Sequence, residues 1–587
     1  MMNHKILWLC AAVLAAALPG AAQTDPPLTQ YRSKVLLRNL SNPTSIAFLP
    51  DGRAYVTLKN GTIRLVKPST GDTSTAAVLV TANVREDGVH SLVLDPAFAS
   101  NRWVYVLFSE RTSTDTGIVV ARYNTDSASG TLLTGSRQTL LRIPYTLNSS
   151  TAEHNTGTLA FGPDGNLYIA LADNTQNIFG GTGAGYAPRD TLRPLYDAQR
   201  SAANTNDLRG KILRIRPEAN GTYSIPAGNL KDSINKPTFN PRWNAGEDAL
   251  AKVRPEIFVM GLRHPFKITV DPATGWLYWA EPGPNATADA PTQGPRGYDI
   301  VGQAKGPGNY GWPYCRGNSR TIPRDTTVKT PYFCYTQYNY SGSGTAGPMY
   351  NPDSLRNTSR NNTGIINLPP ARAAQVWYPY ATTSATGVNF PVFRTNTDGG
   401  NAAMIGPIYQ YDGGLASAGR LPAAFDRHVF IVEWHRSLIF VAKLDSVGGM
   451  QNLRSFWSKR DTTSNGPIDL KIGPDGALYL LNWVGNTYNN NAGNGTLTRL
   501  EYTGVHVAVA PGTQSRAHPS TLTTSGALFV FGPAARFQIP QGSASAEFYA
   551  VTGQKLWSFR RADVSAAAFI SLPPQVHGVV KVRVWPL

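Results

Sequence analysis

Pro163-Asp164-Gly165-Asn166-Leu167-Tyr168-Ile169 is the stretch on which the fold turns. Pro-Asp-Gly is β-turn chemistry, and the apolar, aromatic and branched residues that follow it are strand chemistry. The arrangement returns along the chain. Pro50-Asp51-Gly52 precedes Ala54-Tyr55-Val56, and Asp95-Pro96 precedes Val104-Tyr105-Val106. Asp271-Pro272-Ala273-Thr274-Gly275 precedes Leu277-Tyr278-Trp279, and Pro474-Asp475-Gly476 precedes Leu478-Tyr479-Leu480. A strand before the turn is visible as well, in Ser45-Ile46-Ala47-Phe48 and Thr158-Leu159-Ala160-Phe161. The repeated tyrosines step by 50 and 63 residues, which read as one four-stranded blade each. The later steps of 110 and 201 read as two blades, and as three with a large insertion. A radially repeated sheet of this period predicts an all-β, six-bladed β-propeller over residues 33–503. An array of β-sandwiches sharing the turn by coincidence is the alternative, and five copies of one pattern argue against it.

Composition agrees. Of 587 residues only 16% are charged, while 55 Gly and 43 Pro punctuate the chain, which excludes coiled coils, helical repeats and acidic disorder. Twelve Trp, 26 Tyr and 21 Phe suffice for a large core. The net charge of +17 is scattered, with no Lys/Arg block, so nucleic acid is not expected as a partner. It suits a basic secreted surface or attraction to anionic partners.

Met1–Lys5 is positively charged, Ile6–Leu18 is apolar, and Pro19-Gly20-Ala21-Ala22 offers small residues for cleavage. Residues 1–22 therefore read as a secretory signal peptide, and no other run is long and apolar enough to span a membrane. The expected location is secreted, periplasmic or extracellular. Without Cys10 of the leader, two cysteines remain, Cys315 and Cys334, expected to form one disulfide in an oxidising compartment. Residues 315–403, rich in Asn, Thr, Ser, Gly and Tyr, break the rhythm and read as an insertion on one propeller face. Residues 504–521 read as a linker. Residues 522–587, with the turn Thr552-Gly553 and the ending Gly578–Val584, read as a small C-terminal β-sandwich. Phe548–Lys555 in that unit resembles the Ig-like sorting domains of secreted bacterial proteins, which implies contact with secretion or cell-surface machinery.

Chemistry-bearing residues fall beside strand ends: Glu86-Asp87-Gly88, Glu153-His154-Asn155, Gly261–Pro265, Gly283-Pro284-Asn285 with Tyr298-Asp299, and Glu433-Trp434-His435-Arg436. A His beside a carboxylate can serve as a general base, and an Arg as a fixed cation for a developing oxyanion. Singly, His154 could cap a turn and Arg263 could be a structural ion pair. At matching positions of different blades they read as a site at the channel mouth.

Asn155–Asp173 (NTGTLAFGPDGNLYIALAD), Leu208–Pro217 (LRGKILRIRP), Gly261–Pro265 (GLRHP) and Asn309–Pro313 (NYGWP) form an ordered set. With Gly275–Glu281, Gly406–Tyr411 and Pro467–Leu481 they resemble the soluble PQQ-dependent glucose dehydrogenases and the wider glucose/sorbosone dehydrogenase family. The resemblance implies that His154 removes the proton from a sugar C1 hydroxyl while hydride passes to the quinone. It also implies that Glu153 stands where the family has an Asp, and that Arg263 polarises the quinone carbonyl. It implies Ca²⁺ beneath the quinone, held by Gly283, Pro284 and Asp299. Glu86, His264 and His435 stand where the family has Gln, Asn and Lys, which implies cofactor contacts. Two Arg that clamp the quinone's carboxylates align with Gly466 and Ile468, and each lost charge-assisted hydrogen bond costs about 1.5–3 kcal/mol. Arg436 is the candidate substitute. Tyr409 and Tyr411 are candidates to stack on a sugar ring.

Two functions follow from the sequence. One is a secreted sugar dehydrogenase using PQQ and Ca²⁺ on a sugar or oligosaccharide. Its electron acceptor would be a separate partner, since no Cys-x-x-Cys-His haem attachment occurs. The other is a non-catalytic propeller that binds glycan or protein at the same mouth.

Overall fold

Each turn-and-strand unit supplies the first two strands of an antiparallel sheet, and the second strand is the better buried because blades cover both its faces. The structure, a computed structural model, describes residues 30–504 except 112–114, 148–152, 177–184, 318–333, 339–345, 381–401, 416, 418, 458–465 and 484–492, together with strands between Leu528 and Pro586. The expected leader 1–22, the expected linker from residue 505 and the turn expected at Thr552-Gly553 lie outside the described residues.

Six sheets form the ring. Blade one comprises Pro43–Phe48, Ala54–Leu58, Thr62–Lys67 and Asp72–Val78; blade two comprises Val89–Leu94, Trp103–Arg111, Thr116–Thr125 and Leu132–Pro144. Blade three comprises Gly157–Phe161, Leu167–Leu171, Lys211–Pro217 and Ile257–Met260, extended by Gly308–Asn309 running parallel to the last. Blade four comprises Lys267–Val270, Leu277–Glu281, Tyr298–Ala304 and Val376–Pro379. Blade five comprises Ala403–Ile408, His428–Glu433, Leu438–Leu444 and Met450–Trp457. Blade six joins Pro467–Ile472, Leu478–Asn482 and Gly495–Tyr502 to Tyr31–Leu40, so the N-terminal strand closes the ring against the last one. The first strands touch one another in sequence and the sixth returns to the first, enclosing the channel.

The blade count agrees with the sequence reading, but two steps of it do not. Tyr168 and Tyr278 lie in the second strands of neighbouring blades, so the 110-residue step is one blade, not two. Its length comes from connections 172–210 and 218–256 inside blade three. The 201-residue step spans two blades, because blade five carries Phe430 where the others carry tyrosine. The expected insertion 315–403 begins between the third and fourth strands of blade four and runs past the fourth strand to the start of blade five.

The repeated tyrosines earn their recurrence through their hydroxyls. Tyr55 donates to the Gly130 carbonyl of blade two (2.6 Å), and Tyr278 to the Gly448 carbonyl of blade five (3.1 Å). Tyr105 and Tyr479 donate to Asp95 and Asp475, carboxylates of the turns before them, at 2.9 and 3.0 Å. Their rings are fully or almost fully buried, and burial of such a side chain is worth about 1.5–3 kcal/mol. Cys315 and Cys334 are disulfide-bonded, as expected.

Beyond the ring, Leu528–Phe531, Gly578–Pro586, Ser543–Ala550 and Lys555–Arg560 form a four-stranded sheet in that order, and Arg536–Ile539 pairs with Ala568–Ser571. Among the described residues no helix is long and apolar enough to cross a membrane.

A Cβ placed on Gly302 of blade four would stand 2.1 Å from the Trp279 ring. Gly302→Ala should therefore destabilise the protein by about 1–3 kcal/mol in denaturant titration, as overpacking does. An unchanged midpoint would contradict the tight fit. Thiol titration of the denatured chain should show two additional thiols after reduction, from Cys315 and Cys334.

Candidate active site

First strands begin, and second strands end, at one face of the ring, so the residues flanking these positions crowd the channel mouth. His154 stands just before the first strand of blade three, buried, with φ at +49°, a conformation few side chains adopt. Its Nδ1 lies 2.8 Å from Oδ1 of Asp173, which follows the second strand of the same blade. Asp173 also accepts the backbone N–H (3.0 Å) and hydroxyl (2.8 Å) of Thr175, and its Oδ2 accepts the Trp312 indole N–H at 2.8 Å. Burial works to raise the Asp173 pKa, but His154, Arg263 and the Trp312 donor outweigh it and hold the carboxyl at about 2. An ionised carboxylate only accepts, so His154 carries its proton on Nδ1, leaving Nε2 with the lone pair.

His264 packs beside His154, with ring centroids 5.0 Å apart, and its Nε2 is hydrogen-bonded to the Thr156 hydroxyl. Burial, and then the charges of His154 and Arg263, push its pKa well below the usual histidine value. The backbone N–H groups of Arg263 and His264 donate to one oxygen of Glu281, at 2.7 and 2.8 Å. The other oxygen of Glu281 receives Arg316 at 3.2 Å, a pair that is almost wholly buried. Arg263 is itself buried and reaches the Pro282 carbonyl at 3.4 Å. Burial lowers its pKa while Asp173, Glu281 and Asp299 oppose the fall, and a guanidinium remains cationic throughout.

Glu153 is not the partner of His154. Its carboxylate pairs with Arg85 at 2.9 Å, and Asp173 takes the role that sequence adjacency suggested for Glu153. Asp173 closed the quoted stretch Asn155–Asp173; its position after a second strand, the mouth end, was the usable signal. Glu86 stands against the backbone of His154 and Asn155. Burial and then Glu153 raise its pKa, against His154 and the backbone N–H groups of His154 and Asn155, and its Oε2 is buried without a hydrogen-bond partner.

The blade-five candidates stand at and just after the mouth end of that blade's second strand. Arg436 donates to Glu433 (3.1 Å) and to the Pro379 carbonyl (3.0 Å) and lies over the Tyr378 ring, so it is engaged within its own side of the ring. His435 is half-buried against Trp434. Trp434, Trp483, Phe266, Ile468, Pro282 and His264 wall a cavity of about 30 Å³ beneath the mouth, room for a water or two. Tyr409 and Tyr411 are not brought to this site. They follow the first strand of blade five, at the end opposite the mouth, where Tyr409 bonds the Leu421 carbonyl (2.6 Å) and Tyr411 meets Arg420 (3.0 Å).

The calcium expectation fares poorly at Asp299. Its oxygens accept the backbone N–H groups of Gly283 and Ala403, both at 2.9 Å, and burial together with Glu433 raises its pKa. A carboxyl so used staples blade four to blade five and is a poor ligand for a hard cation that asks for six to eight oxygens. The Pro284 carbonyl faces Gly297, where a Cβ would come within 1.7 Å of it. Among the described residues no group of three His, Cys, Asp or Glu could hold a metal ion. Asp299, so engaged, does not fit the calcium ligand expected of it.

At Gly466, aligned with a clamping Arg in the family resemblance, a Cβ would stand 2.2 Å from the Trp483 carbonyl and φ is +65°, so no longer side chain fits. Asp173, Trp312, Glu281 and Arg316 were all missed as site residues by sequence reasoning.

The sequence model of the family described as Glucose / Sorbosone dehydrogenase matches residues 40–347. The chain is 25% identical over 337 residues to quinoprotein glucose dehydrogenase B of Acinetobacter calcoaceticus, covering 54% of this chain and 62% of that protein. It is 25% identical over 284 residues to aldose sugar dehydrogenase YliI of Escherichia coli, covering 48% and 61%. The chain thus spans about three fifths of the length of these relatives. A solved structure from Thermus thermophilus, described as an oxidoreductase (glucose dehydrogenase), matches with a TM-score of 0.50 at 21% identity, covering 80% of this chain and 99% of that one; the likeness is one of fold.

Because the folded-state pKa of Asp173 lies below its ordinary 3.8, the group stabilises the protein above that value and loses the contribution as pH falls toward about 2. Asp173→Asn should remove this dependence, about 2 kcal/mol, from urea unfolding measured between about pH 4 and pH 2. An identical pH slope in the variant would contradict the assignment.

Proposed function

The chain belongs to the glucose/sorbosone dehydrogenase family, and on that premise we propose that it is a secreted sugar dehydrogenase in which His154 is the general base and PQQ the hydride acceptor. The observation that carries the reading is the His154–Asp173 pair, set by Trp312 and flanked by the buried cation Arg263. A flat aromatic polyanion asks for aromatic walls and cations. Arg263 is the buried cation, and Trp434, with His264 in the same cavity wall and His435 against its ring, is the aromatic wall, so Arg263, His264, Glu86 and His435 are the residues that would hold it. The missing cations at Gly466 and Ile468 argue for weaker binding than in a fully clamped site.

When bound, PQQ supplies the two-electron acceptor for the hydride that leaves the sugar carbon. The remaining work falls to the chain. His154 Nε2 takes the hydroxyl proton as that carbon becomes a carbonyl. Asp173 stabilises the imidazolium that results and holds its orientation. Arg263 offers positive charge in a site where burial magnifies it. His264, kept neutral, packs against the base without competing with it for protons. His154 then returns its proton to solvent.

The empty places of the clamp also support a second reading, a propeller that binds glycan or protein without chemistry. Isothermal titration of the purified protein with PQQ, with and without added calcium, separates the two. Saturable binding followed by sugar-dependent reduction of the quinone supports the dehydrogenase; a folded protein that takes up no PQQ supports the binding module.

His154→Asn keeps a side chain that tolerates positive φ. It should lower sugar-dependent dye reduction by about 10²–10⁴-fold, the usual worth of a general base, with little change in melting temperature. Undiminished turnover would remove His154 from the mechanism.

A further inference from the structure

Asn174 is wholly buried beside the base, and its polar groups reach in two directions. Toward the base, its backbone N–H donates to the His154 carbonyl at 2.7 Å, and its Nδ2 donates to the Glu153 carbonyl at 3.2 Å and the Thr146 carbonyl at 3.1 Å. Its Oδ1 accepts the Thr146 N–H at 2.7 Å. Away from the base, Oδ1 accepts Arg209 at 2.9 Å and the Asn174 carbonyl accepts Arg200 at 2.7 Å. Both guanidiniums are anchored in turn, Arg209 on Asp207 and Arg200 on the Pro194 carbonyl.

We propose that Asn174 is a positioning residue, clamping the backbone of residues 146, 153 and 154 so that the His154 imidazole keeps a single orientation on Asp173. Three features carry this. His154 adopts φ +49°, a conformation that costs about 1 kcal/mol or more and persists only where neighbours impose it. Asn174 bonds the carbonyls of residues 153 and 154, on either side of the strained φ, while the adjacent Asp173 bonds the ring. Two successive residues thereby hold backbone and side chain of the same histidine. The Arg209 guanidinium on Oδ1 polarises the side-chain amide of Asn174, which strengthens its Nδ2–H bonds to the carbonyls of residues 146 and 153.

Asn174 itself has φ +53°, which glycine adopts freely, so Asn174→Gly removes the side-chain bonds without adding backbone strain. The first readout needs neither cofactor nor sugar. A His Nδ1–H donating to a buried carboxylate exchanges slowly and gives a separate downfield proton resonance. That resonance should be present in the unaltered protein, absent in His154→Asn, and lost or broadened in folded Asn174→Gly. Asn174→Asp keeps the acceptor oxygen but loses both side-chain donors, and it should show the same loss. A resonance retained at its original position in either folded variant overturns the proposal. So does failure of both variants to fold, because Asn174 would then be holding the blade and not the imidazole.

The second readout rests on the dehydrogenase reading. In PQQ-loaded protein, Asn174→Gly should lower kcat by about a hundredfold, as misplacement of a catalytic group does, while KM for the sugar stays within about twofold. Loss of the resonance without turnover in any variant supports the clamp and removes the dehydrogenase reading alone. Equal kcat in variant and unaltered protein overturns the clamp.

Discussion

A carboxylate withdrawn from water must collect hydrogen-bond donors or lose its charge, and the mouth of this propeller is organised by three that do so. Asp173 gathers an imidazole, an indole, a hydroxyl and a backbone N–H. Glu281 gathers two successive backbone N–H groups and a guanidinium. Asp299 gathers one N–H from its own blade and one from the next. Each sits at the mouth end of a strand and draws in loops that have no sheet partner there. The sheets make the ring; these carboxylates place what stands on it. Arg263 and His264 occupy their positions because their N–H groups satisfy Glu281, before any ligand is considered.

Much of the fold was legible because the blade repeats a local rule. A turn rich in Pro, Asp and Gly, followed by an apolar strand with one buried tyrosine, is readable within a few residues. Where the rule lapses, at Phe430, the long step was read as three blades instead of two, and where connections lengthen, after Leu171 and Pro217, one blade was read as two. The ring's closing strand left no mark, because nothing in Tyr31–Leu40 announces a partner more than four hundred residues away.

The site was legible only in part. His154, Arg263, His264 and Glu86 stand out because polar residues beside strand ends need a reason. The partners that hold the site together do not, since they come from elsewhere in the chain. Trp312 reaches Asp173 from a segment beyond blade four's third strand, and Arg316 reaches Glu281 from the same segment. Adjacency misled at Glu153, whose side chain turns to Arg85 and away from the histidine beside it. Tyr409 and Tyr411 misled differently: composition cannot say at which end of a strand a residue lies.

The closing strand has one more consequence, for the order in which the molecule can be built. Tyr31–Leu40 pairs with Gly495–Tyr502, so the ring cannot shut until the chain through blade six is available. Blades two to four, which carry His154, Asp173, Arg263 and Glu281, are continuous in sequence and can zip together one after another as they appear. The entropy of bringing the two distant ends together falls on blade six alone, and it grows only slowly with the length enclosed. Local order at His154 and Arg263 can thus precede closure, and the closing seam lies in blade six, not in the blades that carry them.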